Sequence, residues 1–144
     1  MYTIDCAATV RGSLADIWKT WTDMASYPDW DPREEELRID GPFQAGTTGF
    51  SKQVGRRPGS PFELTRVEPM TRWTNVAPLP AGKLVIDHRL TAGADGTVHL
   101  VKRYEAYGPM SIAFRLFIGK GIRAEAPGTF AALEAEAARR TASA

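Results

Sequence analysis

The chain has 144 residues, 43% hydrophobic and 24% charged, with a formal net charge of +1; this is the balance of one soluble globular domain over 1–144, large enough to bury a core with a cavity in it. So small a charge offers no basic field for nucleic acid, and no run of eighteen apolar residues supplies a membrane span. The first five residues lack the charged and apolar regions of a signal peptide and Cys6 is the single cysteine, so no internal disulfide forms and a cytoplasmic location is expected.

Ile4, Cys6, Ala8 and Val10 alternate with Thr3, Asp5, Ala7 and Thr9, which predicts a first strand with one buried face and makes Cys6 a small core residue. Gly12 ends it. Ser13, with Asp16 three residues on, opens a short helix whose apolar side is Leu14, Ile17, Trp18 and Trp21. Asp23 is placed to cap a second short helical turn, which Pro28 and Pro32 keep short, and Trp30 plugs the core from the bottom or side. From 34 to 107 the pattern is strands and turns: strands over 34–40, 46–52, 62–68, 72–77, 83–91 and 97–107. Gly41-Pro42, a Pro/Gly hairpin loop over 54–61, Pro78 to Gly82 and Ala94-Asp95-Gly96 are the turn signals among them. Strand 62–68 carries apolar residues in both registers, so the directions of Glu63 and Arg66 stay open. Pro78-Leu79-Pro80 is a candidate gate at a cavity mouth or a stiff turn.

After the turn Gly108-Pro109, residues Met110, Ala113, Phe114, Phe117, Gly121 and Ala124 recur at three- and four-residue steps, one face of a helix. Beyond Pro127-Gly128 the apolar stripe passes to Phe130, Leu133 and Ala137. One long helix kinked near Pro127 is expected, or two helices broken there. The order is strand, two short helices, six strands and a long helix, an α+β arrangement. A curved antiparallel meander of about seven strands must cover its open face with that helix, and a space is left between them.

Signatures of familiar catalysis are absent: no phosphate loop, no nucleophile elbow, no metal-ligand spacing among two histidines and one cysteine. Position is more informative. His88 shares the apolar register of its strand with Leu84, Ile86 and Leu90; it is either a satisfied core histidine or an acid, base or donor in a dry pocket. Tyr104 falls in the inward register of the last strand, where its phenol could orient an enolate oxygen. Lys102 shares that register, and snorkelling to the rim or a bulge that turns it outward is the favoured outcome. His99 is solvent-side.

Several short motifs stand in a fixed order. They are Ile17-Trp18 with Tyr27-Pro-Asp-Trp-Asp-Pro; Phe62-Glu-Leu-Thr-Arg-Val-Glu-Pro followed by Trp73; and Asp87-His88-Arg89-Leu90. Gly96-Thr97, Tyr107-Gly-Pro-Met and Leu133-Glu134 follow. Through these the whole chain resembles the START-like (SRPBCC, helix-grip) superfamily, in its polyketide cyclase/dehydrase-like branch. The resemblance implies a helix-grip fold, a scaffold reused for lipid and hormone binding, polyketide ring closure, chaperone co-factors and ribosome-associated proteins, so fold alone does not settle function. Three readings follow. The first is a cofactor-free, metal-free binding protein for a small hydrophobic, aromatic, polyketide or lipid-like ligand, walled by Phe50, Trp73, Ile86, His88, Lys102, Tyr104, Met110, Phe114, Phe117 and Gly121. The second is a cyclase/dehydratase in which His88 and Tyr104 move protons. The third is a protein-interaction module with a filled cavity and an exposed apolar patch. A homodimer is left open.

Overall fold

The first helix begins where the capping pattern puts it. In a computed structural model describing residues 1–55 and 58–144, the Ser13 side chain accepts a hydrogen bond from the Asp16 amide at 3.1 Å, satisfying one orphan donor of helix α1 (Leu14–Thr22). A 3-10 turn (Met24–Ser26) and the four-residue α2 (Tyr27–Trp30) follow. Asp23 makes no side-chain cap there and instead pairs with Arg140 at 3.0 Å. Arg56 and Arg57 of the expected loop 54–61 lie outside the described residues.

The strands are β1 (Tyr2–Arg11), β2 (Glu34–Ile39), β3 (Thr48–Gln53), β4 (Ser60–Glu68), β5 (Arg72–Leu79), β6 (Gly82–Ala92) and β7 (Thr97–Tyr107). They form one antiparallel sheet in the order β1-β7-β6-β5-β4-β3-β2. Each neighbour from β2 onward is joined by a hairpin, and β1 closes the far edge beside β7. Residues from β2 through β7 and the C-terminal helix all line one cavity, which requires the sheet to curl around that helix. The expected gate, Pro78-Leu79, is the end of β5; the turn comes at Pro80-Ala81, with Ala81 at φ +54°.

One ambiguity of the sequence has a local cause. The β4–β5 pairing slips between Leu64 and Arg66, a bulge that reverses which residues face inward. Phe62 and Leu64 are buried before it and Val67 packs against the core after it. Glu63 and Arg66 are exposed on either side.

The C-terminal helix runs unbroken as Ser111–Ala113, a π-helical turn Phe114–Ile118, and Gly119–Ser143. Pro127 sits inside it, so the two-helix alternative fails. The π turn corrects the expected register. It inserts one extra residue, marked by the Gly119 amide donating to the Phe114 carbonyl, and the inward positions between Phe114 and Pro127 move on by one. Ile118, Ile122, Glu125 and Ala126 line the interior, while Phe117 is 72% exposed and Ala124 is also outside. Past Pro127 the stripe Phe130, Leu133 and Ala137 is buried as expected. Glu136 ties down the end: it accepts from Arg139 at 2.8 and 2.7 Å and from Arg140 at 2.8 Å. Those hydrogen bonds bring its carboxyl to about 2.

Candidate ligand cavity

Antiparallel pairing lays the concave face out in rows. Trp73, His88, Lys102 and Cys6 lie side by side across β5, β6, β7 and β1; Asn75, Ile86, Tyr104 and Ile4 form the next row; Ala77, Leu84, Ala106 and Tyr2 the one after. The Trp73–His88 end of the first row is filled by aromatic rings. The His88 imidazole stacks on Trp73 with centroids 3.4 Å apart and planes 5° apart, and Trp21 meets both rings edge-on, at 5.1 Å from His88 and 6.1 Å from Trp73. Phe43 and Phe130 close the cluster against Trp73 and Trp21. On β5 and β6 in the next two rows the side chains are smaller (Asn75, Ile86, Ala77, Leu84), and above them the helix presents Phe114, Ile118, Ile122 and Ala126. A cavity of about 380 Å³ is left between, within the range of small-molecule sites.

His88 therefore stands outside this cavity. Its Nδ1 lies 3.2 Å from the Trp73 carbonyl oxygen; a carbonyl only accepts, so Nδ1 carries the proton. Burial, helped by the nearby Lys102 charge, pushes its pKa well below the usual histidine value, so the ring is neutral at neutral pH. The imidazole is a packing element here, stacked on Trp73 and not among the residues that line the cavity.

Lys102 is a second correction. β7 is in regular register with both neighbours at this position, with no bulge, and Lys102 lines the cavity instead of reaching the rim. Its ammonium is 5.2 Å from the Tyr104 ring centroid. Burial works against the charge, but Tyr104, Glu34 and Asp31 outweigh it and hold the lysine pKa above its ordinary value. Lys102 is thus a cation and a hydrogen-bond donor, not an amine nucleophile.

Asp31, just past α2, and Glu34, the first residue of β2, bring carboxylates to the same cavity. Asp31 accepts from the Arg33 amide at 2.9 Å, and Glu34 accepts from the Ser51 hydroxyl at 3.2 Å. Burial raises both pKa values, against the pull of Lys102. Arg33 pairs with Glu125 of the helix at 3.1 Å, and its Nε has no partner among the described residues. The cavity thus joins an apolar wall (Phe62, Leu84, Ile86, Phe114) to a charged one. An ammonium and a phenol on one side can receive a carbonyl oxygen, and carboxylates on the other can accept a proton. No cluster of three metal-ligating side chains occurs among the described residues.

Of the residues singled out from sequence, Ile86, Lys102, Tyr104, Met110 and Phe114 line the cavity together. Trp73 and His88 form its neighbour, the aromatic stack. Phe50 faces the other side of β3, under Arg38 at 5.5 Å; Phe117 and Gly121 are turned away by the π turn. Sequence reasoning missed Asp31, Glu34, Asn75 and Glu125. Glu34 heads a run of three glutamates that reads as solvated, and the β2–β3 register shift between Glu34 and Glu36 gives it its own direction.

No curated protein matches the chain by sequence. Solved structures do match its fold. The Zhui aromatase/cyclase from Streptomyces sp. R1128 is 14% identical, with 96% of this chain and 94% of that chain covered and a TM-score of 0.73. Ara h 8.0201 is 16% identical over 96% and 98%, with a TM-score of 0.72. A Thalictrum flavum norcoclaurine synthase point mutant, in complex with a transition-state analogue, is 15% identical over 96% and 95%, with a TM-score of 0.70. Identities this low carry the helix-grip fold and nothing about activity. The sequence is more specific: residues 1–138 match the model of the polyketide cyclase / dehydrase and lipid transport family, and the chain belongs to that family.

Proposed function

We propose that this protein binds a small, largely apolar molecule bearing polar groups, held between the sheet and the C-terminal helix without a cofactor. One observation carries the reading. A cavity of about 380 Å³ runs under the helix between an apolar wall and the Lys102–Tyr104 pair. Ile86, Met110 and Phe114 supply the apolar contacts, and Lys102 and Tyr104 orient the polar end. The test is a thermal-shift screen against aromatic polyketides, flavonoids, sterols and fatty acids, run on the native chain and on Ala126→Trp, which fills the cavity from the helix. A ligand at a hundred times its Kd adds about 2.7 kcal/mol to the native state. A shift present in the native chain and absent in the filled variant supports the reading; equal shifts in both refute it.

Cyclase/dehydratase chemistry is the second reading, favoured by the convergence of Lys102, Tyr104 and the Glu34 carboxylate on one space. Holding a poly-β-keto chain folded supplies much of the rate in such reactions. Tyr104 and Lys102 would polarise a carbonyl while Glu34 takes the adjacent proton. On this reading Tyr104→Phe or Glu34→Gln lowers turnover of a poly-β-keto substrate about 100-fold or more, and His88→Gln leaves it nearly unchanged. A loss confined to His88→Gln would reverse the assignment.

A further inference from the structure

Among the described residues, the charges lining the cavity do not cancel and one neutral group there has no side-chain partner. Arg33 and Glu125 neutralise one another at 3.1 Å. That leaves Lys102 facing two carboxylates, Asp31 and Glu34, neither of which forms an ion pair within the described residues; their bonds go to the Arg33 amide and the Ser51 hydroxyl. With both carboxyls ionised, the remainder among the described residues is one negative charge, in a space partly withdrawn from water where charge is costly unless matched. Asn75 is independent of this count. It lies on β5 between Trp73 and Ala77, is 8% exposed, lines the cavity, and makes no side-chain hydrogen bond among the described residues. A carboxamide so placed normally has a partner, so a ligand or water is expected against it.

We propose that the cavity selects an amphipathic organic cation: an apolar, aromatic-sized body with a protonated amine. The ammonium is received by Asp31 and Glu34, and the Asn75 carbonyl oxygen accepts a further hydrogen bond from the ligand. A cation balances the carboxylate charge that Lys102 leaves over among the described residues; an anionic ligand would gain Lys102 and lose to both acids. This inference rests on the cavity being a binding site and adds the charge of what it takes.

The experiment uses three probes with one body: naphthylethylamine, naphthylethanol and naphthylpropionic acid, titrated calorimetrically into the native protein at neutral pH. Charge-assisted hydrogen bonds contribute about 1.5–3 kcal/mol, so the amine is expected to bind roughly ten- to a hundredfold more tightly than the alcohol, and the acid most weakly. Glu34→Gln and Asp31→Asn should each bring the amine down toward the alcohol without weakening the alcohol. Asn75→Leu should weaken amine and alcohol together. Two variants in different places, Asp31 before β2 and Glu34 at its first residue, keep the test alive should one fail to fold. Amine and alcohol binding equally, or the acid binding tightest, overturns the cation preference and leaves the cavity reading standing. No binding by any of the three overturns both.

Discussion

The π turn makes a prediction that no uniform helix makes. At α-helical spacing, Phe114 and Phe117 lie on one face and replacing either should damage the core equally. With the extra residue, Phe114 is 4% exposed and Phe117 is 72% exposed. Phe→Ala at a buried site costs about 3–5 kcal/mol. Phe114 borders the cavity and lacks packing on that side, so the lower end, about 3 kcal/mol, is expected. Phe117→Ala should fall within about 0.5 kcal/mol of the native chain. In urea, with a slope of about 2 kcal/mol per molar, Phe114→Ala moves the midpoint down by about 1.5 M and Phe117→Ala barely moves it, with slopes unchanged. A second arm tests the insertion itself. Deleting the exposed Leu116 restores α-helical spacing and leaves both flanks in register; deleting the exposed Ala131 rotates Leu133 and Ala137 by about 100° off the core. The Leu116 deletion should be the more stable protein. Phe117→Ala costing as much as Phe114→Ala would refute the reasoning.

Two glycines two residues apart should respond with opposite sign. A Cβ at Gly119 would lie 2.7 Å from the Phe114 carbonyl oxygen and 3.0 Å from Ile4 Cδ1, whereas one at Gly121 meets nothing within 4 Å. Gly119→Ala should therefore destabilise by about 1–3 kcal/mol and Gly121→Ala stabilise by about 0.4–1 kcal/mol, both read by thermal melting. His88 gives an acid-side dependence. Its folded pKa is depressed, so the unfolded chain binds the extra proton and stability falls as pH drops below about 6.5, by at most about 1.4 kcal/mol per pH unit from this group. The stability gap between the native chain and His88→Gln should narrow from pH 7 to pH 5; a constant gap would show a charged or exposed ring. Glu136 acts in a lower window. Its folded value of about 2 means that its contribution is present above the unfolded carboxyl value and lost as pH falls from there toward 2. Glu136→Gln should lower stability at pH 7 and make no difference at pH 2 in urea titrations.

The sheet was legible because its signals are local. Alternation in 3–10, 83–91 and 97–107, the Ala94-Asp95-Gly96 turn and the Ser13 cap each need only a few neighbouring residues, and β1, β6, β7 and α1 appear within a residue or two of expectation. Two features escaped the sequence because one residue is inserted. The bulge between Leu64 and Arg66 and the π turn at Phe114–Ile118 each shift a register, and a period read along the chain carries no mark of a single added position. Phe117 and Gly121 were misplaced for that reason alone. Lys102 was misread for another. Its favoured outward direction weighed burial of a lone charge, while the compensating Glu34 and Asp31 sit about seventy residues away in sequence and on the opposite wall.

The aromatic stack explains why a cavity survives in a chain of this size. Trp21, Phe43, Trp73, His88 and Phe130 fill one end of the space under the helix with large rings at contact distances, holding the sheet at a fixed separation from the helix. At the other end, Asn75, Ala77 and Ala126 are too small to reach across that separation. Collapse there would also bring Asp31, Glu34 and Lys102 into an apolar interior, at a cost that imperfect pairing does not offset. Rigid filling at one end and charge at the other keep the middle open. Trp73→Ala, which lets the walls close, should therefore weaken ligand binding without touching a ligand contact, and Ala126→Trp should weaken it by direct occupation.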